Sequence, residues 1–173
     1  MHSHPLNEIY AIMEASFPDS EFRTLDGQKA LLADSRYRLI TDYDNQGRVT
    51  AFIAAWEFPV FRFVEHIAVH PAVRGQGLGD RMMRDYISES ITPVLLEVEP
   101  PLNEWSRRRV GFYERLGFFL NPFEYRQPPL REGQSELPLK IMSYAQPLPE
   151  EAFSLFKETV YRHVYKVSDS HHE

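Results

Sequence analysis

Residues Arg74–Gly79 carry the strongest chemical signal in the chain, a cation followed by three glycines at alternate positions. They follow Val64–Val69, a short run rich in apolar and β-branched residues that predicts a strand, which Pro71 ends. From Leu78 onward, apolar residues recur at the spacing of one helix face. Glycines at a helix start let unpaired backbone N–H groups approach a ligand, and the helix dipole favours an anion there. The pattern therefore predicts a phosphate or pyrophosphate site.

The spacing of these glycines does not match two common phosphate-binding motifs. A dinucleotide fingerprint has the spacing G-x-G-x-x-G, and a P-loop needs Gly-Lys-Ser/Thr, so neither fits. The run Arg74-x-x-Gly77-x-Gly79, after a strand that ends IAVHP, instead resembles the acyl-CoA signature of the GCN5-related N-acetyltransferases, the GNAT family. The alternative is an ordinary tight turn between a strand and a helix.

A second stretch supports the resemblance. Residues 109–118, RVGFYERLGF, are similar to the closing helix of the family, which usually ends F-Y-E-K-x-G-F. Together the two matches cover roughly residues 37–145. The chain departs from the family where an Asn often stands seven positions before the tyrosine, because Ser106 occupies that position.

The resemblance implies that acetyl-CoA is a co-substrate and that the glycine corner holds its pyrophosphate. The main chain of the preceding strand would pair with the pantetheine arm. One of the arginines at 107–109 could reach a cofactor phosphate, although a solvated helix face is an equally good interpretation. The cofactor-binding residues implied in this way are Ile67, Ala68, Val69, Arg74, Gly75, Gln76, Gly77, Leu78, Gly79, Ser106 and Arg109.

The reaction that the resemblance implies is direct attack of an amine on the thioester, which needs a neutral amine and a proton for the leaving thiolate. Tyr113 stands at the family's usual general-acid position, or it packs against the sheet. Glu65 stands where related enzymes often carry a base or a water-ordering residue; the alternative is a solvated or salt-bridged carboxylate. If Glu65 faces the cleft, strand alternation turns His66 away as a structural histidine.

The acceptor is expected to be a primary amine of a small molecule or of a protein. Candidate lining residues are Arg23, Trp56, Phe58 and Tyr125, although aromatic residues also fill cores. A hypothesis of another class is a non-catalytic acyl-CoA-binding module that regulates a partner. In that case the C-terminal helix, residues 149–166, could serve as a docking or dimerisation arm, and a homodimer is one form this would take.

The elements that must position these residues predict an α/β fold. The family resemblance implies a mixed, mostly antiparallel sheet flanked by helices, with splayed central strands and an extra C-terminal helix. Three antiparallel strands are expected before the corner, and Ser106 is expected to cap the tyrosine helix. Extended structure is predicted over 118–125. The expected organisation is a single acetyltransferase domain, 1–173, with acceptor-side helices (1–36), a sheet and acyl-CoA core (37–145) and the C-terminal helix.

Composition limits the alternatives. The 173 residues suit one domain with a sizeable core, and the absence of cysteine excludes disulfides and thiol catalysis. A net charge of −6 without a dense basic run argues against a nucleic-acid partner. The seven histidines show no zinc-type spacing, so no metal is expected. No apolar run is long enough for a bilayer, so the expectation is a cytoplasmic protein without a membrane partner.

Overall fold

The computed structural model describes residues 5–167 of the chain. The chain divides into two compact units, an N-terminal unit over Met1–Thr92 and a C-terminal unit over Pro93–Glu173. Each unit has its own strands and helices, and the single domain expected over 1–173 stays a prediction. Four of the seven histidines lie outside the described residues: His2, His4, His171 and His172.

The N-terminal unit contains three antiparallel strands and three α-helices. Its elements in chain order are α1 (Pro5–Ser16), α2 (Leu25–Leu31), β1 (Tyr37–Tyr43), β2 (Val49–Glu57), β3 (Arg62–Val69) and α3 (Leu78–Glu89). The middle strand β2 pairs antiparallel with β1 and with β3. This confirms the prediction of three antiparallel strands that lead into the glycine corner.

The strand β2 is the centre of this unit because its sequence, VTAFIAAWE, is almost entirely apolar. Its first eight residues are buried, and both α1 and α3 contact it. The turn that leads into it is held by Asp44, whose Oδ1 accepts hydrogen bonds from the N–H groups of Gln46 (2.8 Å) and Arg48 (2.9 Å). The predicted hairpin and the predicted two-sided burial are both confirmed.

The C-terminal unit is organised around its longest strand, β7. Its elements are β4 (Val94–Val98), α4 (Glu104–Leu116), β5 (Phe118–Leu120), β6 (Tyr125–Gln127), β7 (Leu137–Tyr144) and α5 (Glu150–His163). Strands β4, β5 and β6 all pair antiparallel with β7. The long strand therefore takes part in each of these three strand pairings.

The extended structure predicted over 118–125 is present as the two short strands β5 and β6, which residues 121–124 separate. Asn121 is buried, its amide Nδ2 donates to the Ile141 carbonyl at 3.0 Å, and its Oδ1 accepts from the Leu148 N–H at 2.8 Å. Pro122 follows and has no N–H for a strand ladder. The buried amide and the proline together end β5.

The cap of α4 also differs from the prediction. Asn103 is the N-cap, and its Oδ1 accepts from the Ser106 N–H at 2.9 Å, while Ser106 is the third residue of the helix. The Ser106 hydroxyl in turn accepts from the Asn103 N–H at 3.2 Å, which completes a reciprocal capping box. The C-terminal end is as expected, since Gly117 adopts φ 106° and closes the helix.

The apolar stripe of α5 is part of the core of the C-terminal unit. Phe153, Phe156, Val160 and Val164 are all buried, and Phe153 stacks on Phe123 with ring centroids 4.4 Å apart. This stripe is therefore occupied within its own unit. A docking or dimerisation arm would have to use another face of the helix.

The fold class is the expected one, a mixed α/β fold with mostly antiparallel strands and flanking helices. Residues 5–167 contain seven strands and five α-helices. The splay of the central strands, which only the family resemblance implies, stays a prediction. Within the same residues, no helix combines the length and the apolar character that crossing a bilayer requires.

Candidate functional site

The glycine corner, residues 74–79, is an exposed turn built for close approach of a ligand to backbone. Gly75 and Gly77 adopt left-handed φ angles of 83° and 77°, which glycine reaches without strain. An added Cβ would meet no heavy atom within 4 Å at either position, so the space beside the backbone is open. The helix α3 starts at Leu78 and has no side-chain cap. Its first N–H groups are therefore available to an anion.

Arg74 is anchored at this corner by two hydrogen bonds. Its Nε donates to the Val69 carbonyl at the end of β3 at 3.1 Å, and its Nη2 donates to the Ser16 hydroxyl at the end of α1 at 3.0 Å. The guanidinium has five N–H donors, so these contacts do not exhaust it. The corner thus combines a held positive charge with free helix N–H groups.

The strand that leads into the corner contains a β-bulge at Glu65. Across the β2–β3 pair, Ala54 lies opposite His66 and Ala55 lies opposite Val64, so Glu65 is the extra residue. The Glu65 side chain is only 4% exposed, whereas the whole residue is half-buried. The exposed part of Glu65 is therefore its main chain. Further along the strand, Ile67 and Val69 are half-buried and Ala68 is buried, as a main-chain contact surface would require.

The Glu65 carboxylate is bound by two of the side chains predicted to line an acceptor site. Arg23 Nη1 donates to Glu65 Oε2 at 2.9 Å, and Trp56 Nε1 donates to Glu65 Oε1 at 2.8 Å. Burial alone raises the pKa of Glu65, but the charges of Arg23 and His66 and the two hydrogen bonds outweigh it and hold the pKa below 4.5. Glu65 is therefore a carboxylate near neutral pH, and the salt-bridged alternative describes its geometry.

Two further residues belong to this cluster and were missed by the sequence analysis. The Tyr37 ring lies 5.1 Å from the Trp56 ring, and burial followed by the Glu65 charge raises the pKa of Tyr37. Gln28 is fully buried, and its Oε1 accepts from the Arg23 N–H at 3.0 Å. Gln28 lies three residues before the buried Leu31, so a polar residue on the inner face of α2 was the available signal.

His66 has the structural role expected of it. Its Nε2–H donates to the Glu21 carbonyl at 2.6 Å, and its ring lies 5.1 Å from that of Phe17. The residue is buried. Because this nitrogen is already hydrogen-bonded to a carbonyl, the contact fixes the ring rather than preparing it as a base.

Trp56 and Phe58 lie in the core and not on a surface. Trp56 is 0% exposed and Phe58 is 7% exposed, with their rings stacked at a centroid distance of 6.4 Å. In this conformation both rings are enclosed by other side chains, and contact of either ring with a substrate stays a prediction. Trp56 bears on the site through its hydrogen bond to Glu65.

Tyr113 is held in the C-terminal unit by a helix that is capped at both ends. It lies on α4, is 6% exposed, and meets the Phe118 ring edge-on with centroids 5.8 Å apart. A comparable edge contact joins it to Phe112 at 5.2 Å. The ring is therefore fixed by packing, and its proposed chemical role stays a prediction.

The other two predicted residues of α4 have different surroundings. Ser106 is fully buried, and its hydroxyl takes part in the capping box with Asn103. Arg109 places its guanidinium carbon 4.9 Å from the centroid of the half-exposed Trp105 ring. In this conformation the Ser106 hydroxyl serves the helix cap. Arg109 is half-buried, and its guanidinium lies over the ring of Trp105.

Tyr125 lines a cavity of about 870 Å³ in the C-terminal unit, between the 128–136 loop and the end of α5. Its hydroxyl donates to Glu97, and the Tyr165 hydroxyl donates to the same carboxylate at 2.6 Å. Burial, followed by the Glu97 charge, raises the pKa of Tyr125. Charged side chains of both signs line the cavity, including Arg131 and Glu136, so its electrostatics do not select an anion or a cation.

Comparison with known proteins identifies the family. A sequence model described as the acetyltransferase (GNAT) family matches residues 6–118, which is more than half of the chain. The chain belongs to the GNAT acetyltransferase family. The matched residues include the glycine corner, Glu65 and Tyr113, whereas Tyr125 and α5 lie beyond them.

Similar GNAT proteins extend over most of this chain. A Bacillus subtilis (strain 168) protein provisionally named acetyltransferase YjbC is 28% identical over 162 residues, which span 91% of this chain and 82% of that protein. A solved structure provisionally named a GNAT-family acetyltransferase from Bacteroides thetaiotaomicron is 31% identical, with a TM-score of 0.85 and coverage of 94% of this chain and 92% of that chain.

A more distant likeness concerns the fold. The GNAT superfamily phosphinothricin acetyltransferase (Pat) from Sinorhizobium meliloti was solved in complex with acetyl-CoA. It is 16% identical, with a TM-score of 0.57 over 80% of this chain and 82% of that chain.

Within residues 5–167 of this GNAT chain, no group of three His, Cys, Asp or Glu side chains is arranged to hold a metal ion.

Proposed function

We propose that this GNAT-family chain transfers an acetyl group from acetyl-CoA to a primary amine of a small molecule or a protein. The observation that carries the proposal is the exposed glycine corner between β3 and α3, with two left-handed glycines, an uncapped helix start and an anchored arginine. The acetyl-CoA complex of a protein with the same fold supports the choice of donor.

The proposed reaction is a direct transfer with one bond formed and one broken. The amine nitrogen attacks the thioester carbonyl carbon, the carbon–sulfur bond breaks, and the products are an N-acetyl amide and coenzyme A. The amine loses one proton overall and the thiolate gains one. We assign the proton donor to Tyr113, because a phenol at the family's acid position can donate to a sulfur anion.

Glu65 is the proposed partner of the amine, acting through water. Its low pKa makes it a weak base but a permanent anion near neutral pH. Such a group attracts the protonated amine and orders a water through which the amine's proton passes to solvent, which leaves the neutral amine to attack. Both carboxylate oxygens already accept one N–H each, and an oxygen of an ionised carboxylate has capacity for a second.

The cofactor assignment follows the corner and the strand before it. Backbone N–H groups of residues 75–79 and the guanidinium of Arg74 would bind the pyrophosphate, and the main chain of Ile67–Val69 would pair with the pantetheine arm. Arg109 is the proposed partner of a further cofactor phosphate. A contact from Ser106 would require its hydroxyl to leave the helix cap.

Calorimetric titration with acetyl-CoA, followed by an amine library with detection of released thiol, tests the proposal. We expect binding in the low micromolar range or tighter, a higher melting temperature with cofactor, and steady thiol release with at least one amine. A titration without binding heat at near-millimolar acetyl-CoA, supported by an unchanged melting temperature, would overturn the cofactor assignment.

A second candidate function is a non-catalytic acyl-CoA-binding module. The observation that favours it is the Arg23–Glu65 pair, because a buried, ion-paired carboxylate with a lowered pKa suits a structural role. Binding of acetyl-CoA without amine-dependent thiol release, across acceptors of all the tested classes, would select this function.

A further inference from the structure

The Glu65 carboxylate is held from two directions by donors on different parts of the N-terminal unit. Arg23, in the segment between α1 and α2, donates to Oε2 at 2.9 Å, and Trp56, on β2, donates to Oε1 at 2.8 Å. The Arg23 side chain is 9% exposed and that of Glu65 is 4% exposed. One donor on each oxygen fixes both the position and the rotation of the carboxylate.

Both donors are themselves fixed by their surroundings. The backbone of Arg23 is bonded on both sides, since its N–H donates to Gln28 Oε1 at 3.0 Å and its carbonyl accepts from the Tyr10 hydroxyl at 3.0 Å. The Trp56 ring is fully buried between Tyr37 at 5.1 Å and the stacked Phe58 at 6.4 Å. The two donors are thus presented to the carboxylate from a held backbone and a packed ring, which is a preorganised arrangement.

The bulge makes these contacts necessary. Glu65 is the extra residue of β3, so the β2–β3 ladder does not determine its orientation as it does for a paired residue. The orientation of a side chain at a bulge therefore depends on the groups that contact it. Here Arg23 and Trp56 are the groups that do so.

We propose that Arg23 and Trp56 are positioning residues that hold the Glu65 carboxylate in one orientation for its work on the acceptor amine. This assignment rests on the proposed acetyltransferase function. Neither residue is expected to touch the substrate, because the indole is fully buried and the guanidinium is turned onto Glu65.

The groups that face Glu65 determine what the variants should do. Burial raises its pKa, whereas Arg23, His66 and the hydrogen bonds from Trp56 and Arg23 lower it; Tyr37 is the other titratable group in the cluster. Without the Arg23 charge, burial should dominate and the pKa of Glu65 should rise. Loss of the Trp56 N–H should raise it less.

The test compares Arg23→Gln, Arg23→Lys and Trp56→Phe with wild type in the full chain. Carbon-13 NMR follows the Glu65 carboxyl carbon across pH, with the signal assigned by its disappearance in Glu65→Gln. Steady-state kinetics with acetyl-CoA and an accepted amine give kcat, KM and the acid limb of kcat/KM. The matched control is Arg48→Gln, which breaks an ion pair of similar length, 2.9 Å, on the exposed hairpin.

The expected result is an upward shift of the Glu65 pKa in Arg23→Gln, a smaller shift in Trp56→Phe, and partial return toward wild type in Arg23→Lys. The acid limb of kcat/KM should move in the same order, and kcat should fall about 10- to 100-fold with a KM change within about threefold. The control should change neither readout.

Three outcomes decide the matter. An unchanged Glu65 pKa in folded Arg23→Gln and Trp56→Phe would overturn the positioning assignment. A shifted pKa with unchanged kcat and acid limb would overturn it as well, because the orientation would then be irrelevant to turnover. Wild-type protein that releases no thiol with any amine would instead overturn the proposed function, while the NMR titration would still show whether these residues hold Glu65.

Discussion

The glycine corner and the Glu65 cluster belong to the same unit and follow one another in the chain, but they are built in opposite ways. The corner is exposed, and its chemistry comes from backbone N–H groups and open space at Gly75 and Gly77. The cluster is buried, and its chemistry comes from side chains that meet from distant positions, Arg23, Trp56 and Glu65. A backbone site tolerates change around it, whereas a side-chain cluster depends on every member.

The comparison predicts that substitutions in the two regions should impair different properties of the protein. Changes at Gly75 or Gly77 should weaken cofactor binding with a small cost in stability, because an added Cβ there meets no heavy atom within 4 Å. Changes in the cluster should affect turnover and folding together, because a buried charge left without its partner is destabilising. Tyr113, in the C-terminal unit, offers a third case in which the chemistry alone should change.

The largest effect is expected for Tyr113→Phe. The substitution removes one hydroxyl and keeps the ring that packs on Phe118, so the fold should be retained. If the hydroxyl protonates the thiolate, kcat should fall by about 10²- to 10⁴-fold with little change in acetyl-CoA affinity. Stopped-flow or steady-state thiol release and calorimetry measure the two quantities. Wild-type turnover in this variant across pH would remove Tyr113 from the mechanism.

Glu65→Gln should combine two defects. The buried Arg23 loses its ionic partner, which should lower the free energy of unfolding by about 3–5 kcal/mol, as when one member of a buried pair is removed. Turnover should also fall, and the defect should shrink as pH rises because more of the amine is then already neutral. Denaturant unfolding and pH–rate profiles check these points. A pH-independent defect equal to that of Tyr113→Phe would contradict the distinction between the two roles.

Gly77→Ala tests the corner with a control of the same backbone conformation. Gly77 and Gly47 both have φ 77° and open space around an added Cβ, so alanine should cost each about 1–2 kcal/mol of strain. Only Gly77→Ala should also weaken acetyl-CoA binding, by about tenfold or more, because its Cβ lies where the pyrophosphate would approach. Equal affinities for Gly77→Ala and Gly47→Ala in calorimetry would mean that the corner is only structural.

The smallest effect concerns acid stability. Because the pKa of Glu65 in the folded chain lies below 4.5, its contribution to stability is fully present above pH 4.5. That contribution is lost as pH falls from 4.5 through the lower folded-state pKa, at about 1.4 kcal/mol for each unit of difference. Unfolding measured from pH 6 to pH 3 should therefore show a steeper decline for wild type than for Glu65→Gln. Parallel curves of unfolding free energy against pH for the two proteins would show that the ion pair makes no such contribution to stability.

Local sequence determined the elements and the corner, because both depend on residues close together in the chain. The continuous apolar run of β2, the apolar spacing of α3 and α5 and the glycines at 75 and 77 each act over a few residues, and the structure has these features where they were predicted. The errors at this level were also local. Asn103 rather than Ser106 caps α4, and Asn121 with Pro122 separates two strands within the segment predicted as extended.

Only the tertiary structure decided what surrounds Glu65. Arg23 and Trp56 could be named from the sequence as residues near a site, but their role could not, because 42 positions separate Arg23 from Glu65 and 9 separate Trp56 from it. The pairing register adds a bulge that strict alternation does not contain, and packing buries the Trp56 and Phe58 rings, which the sequence left open between a site lining and the core. Orientation at a bulge and the pKa of a buried carboxylate depend on neighbours brought together by folding, and no local pattern in the chain specifies them.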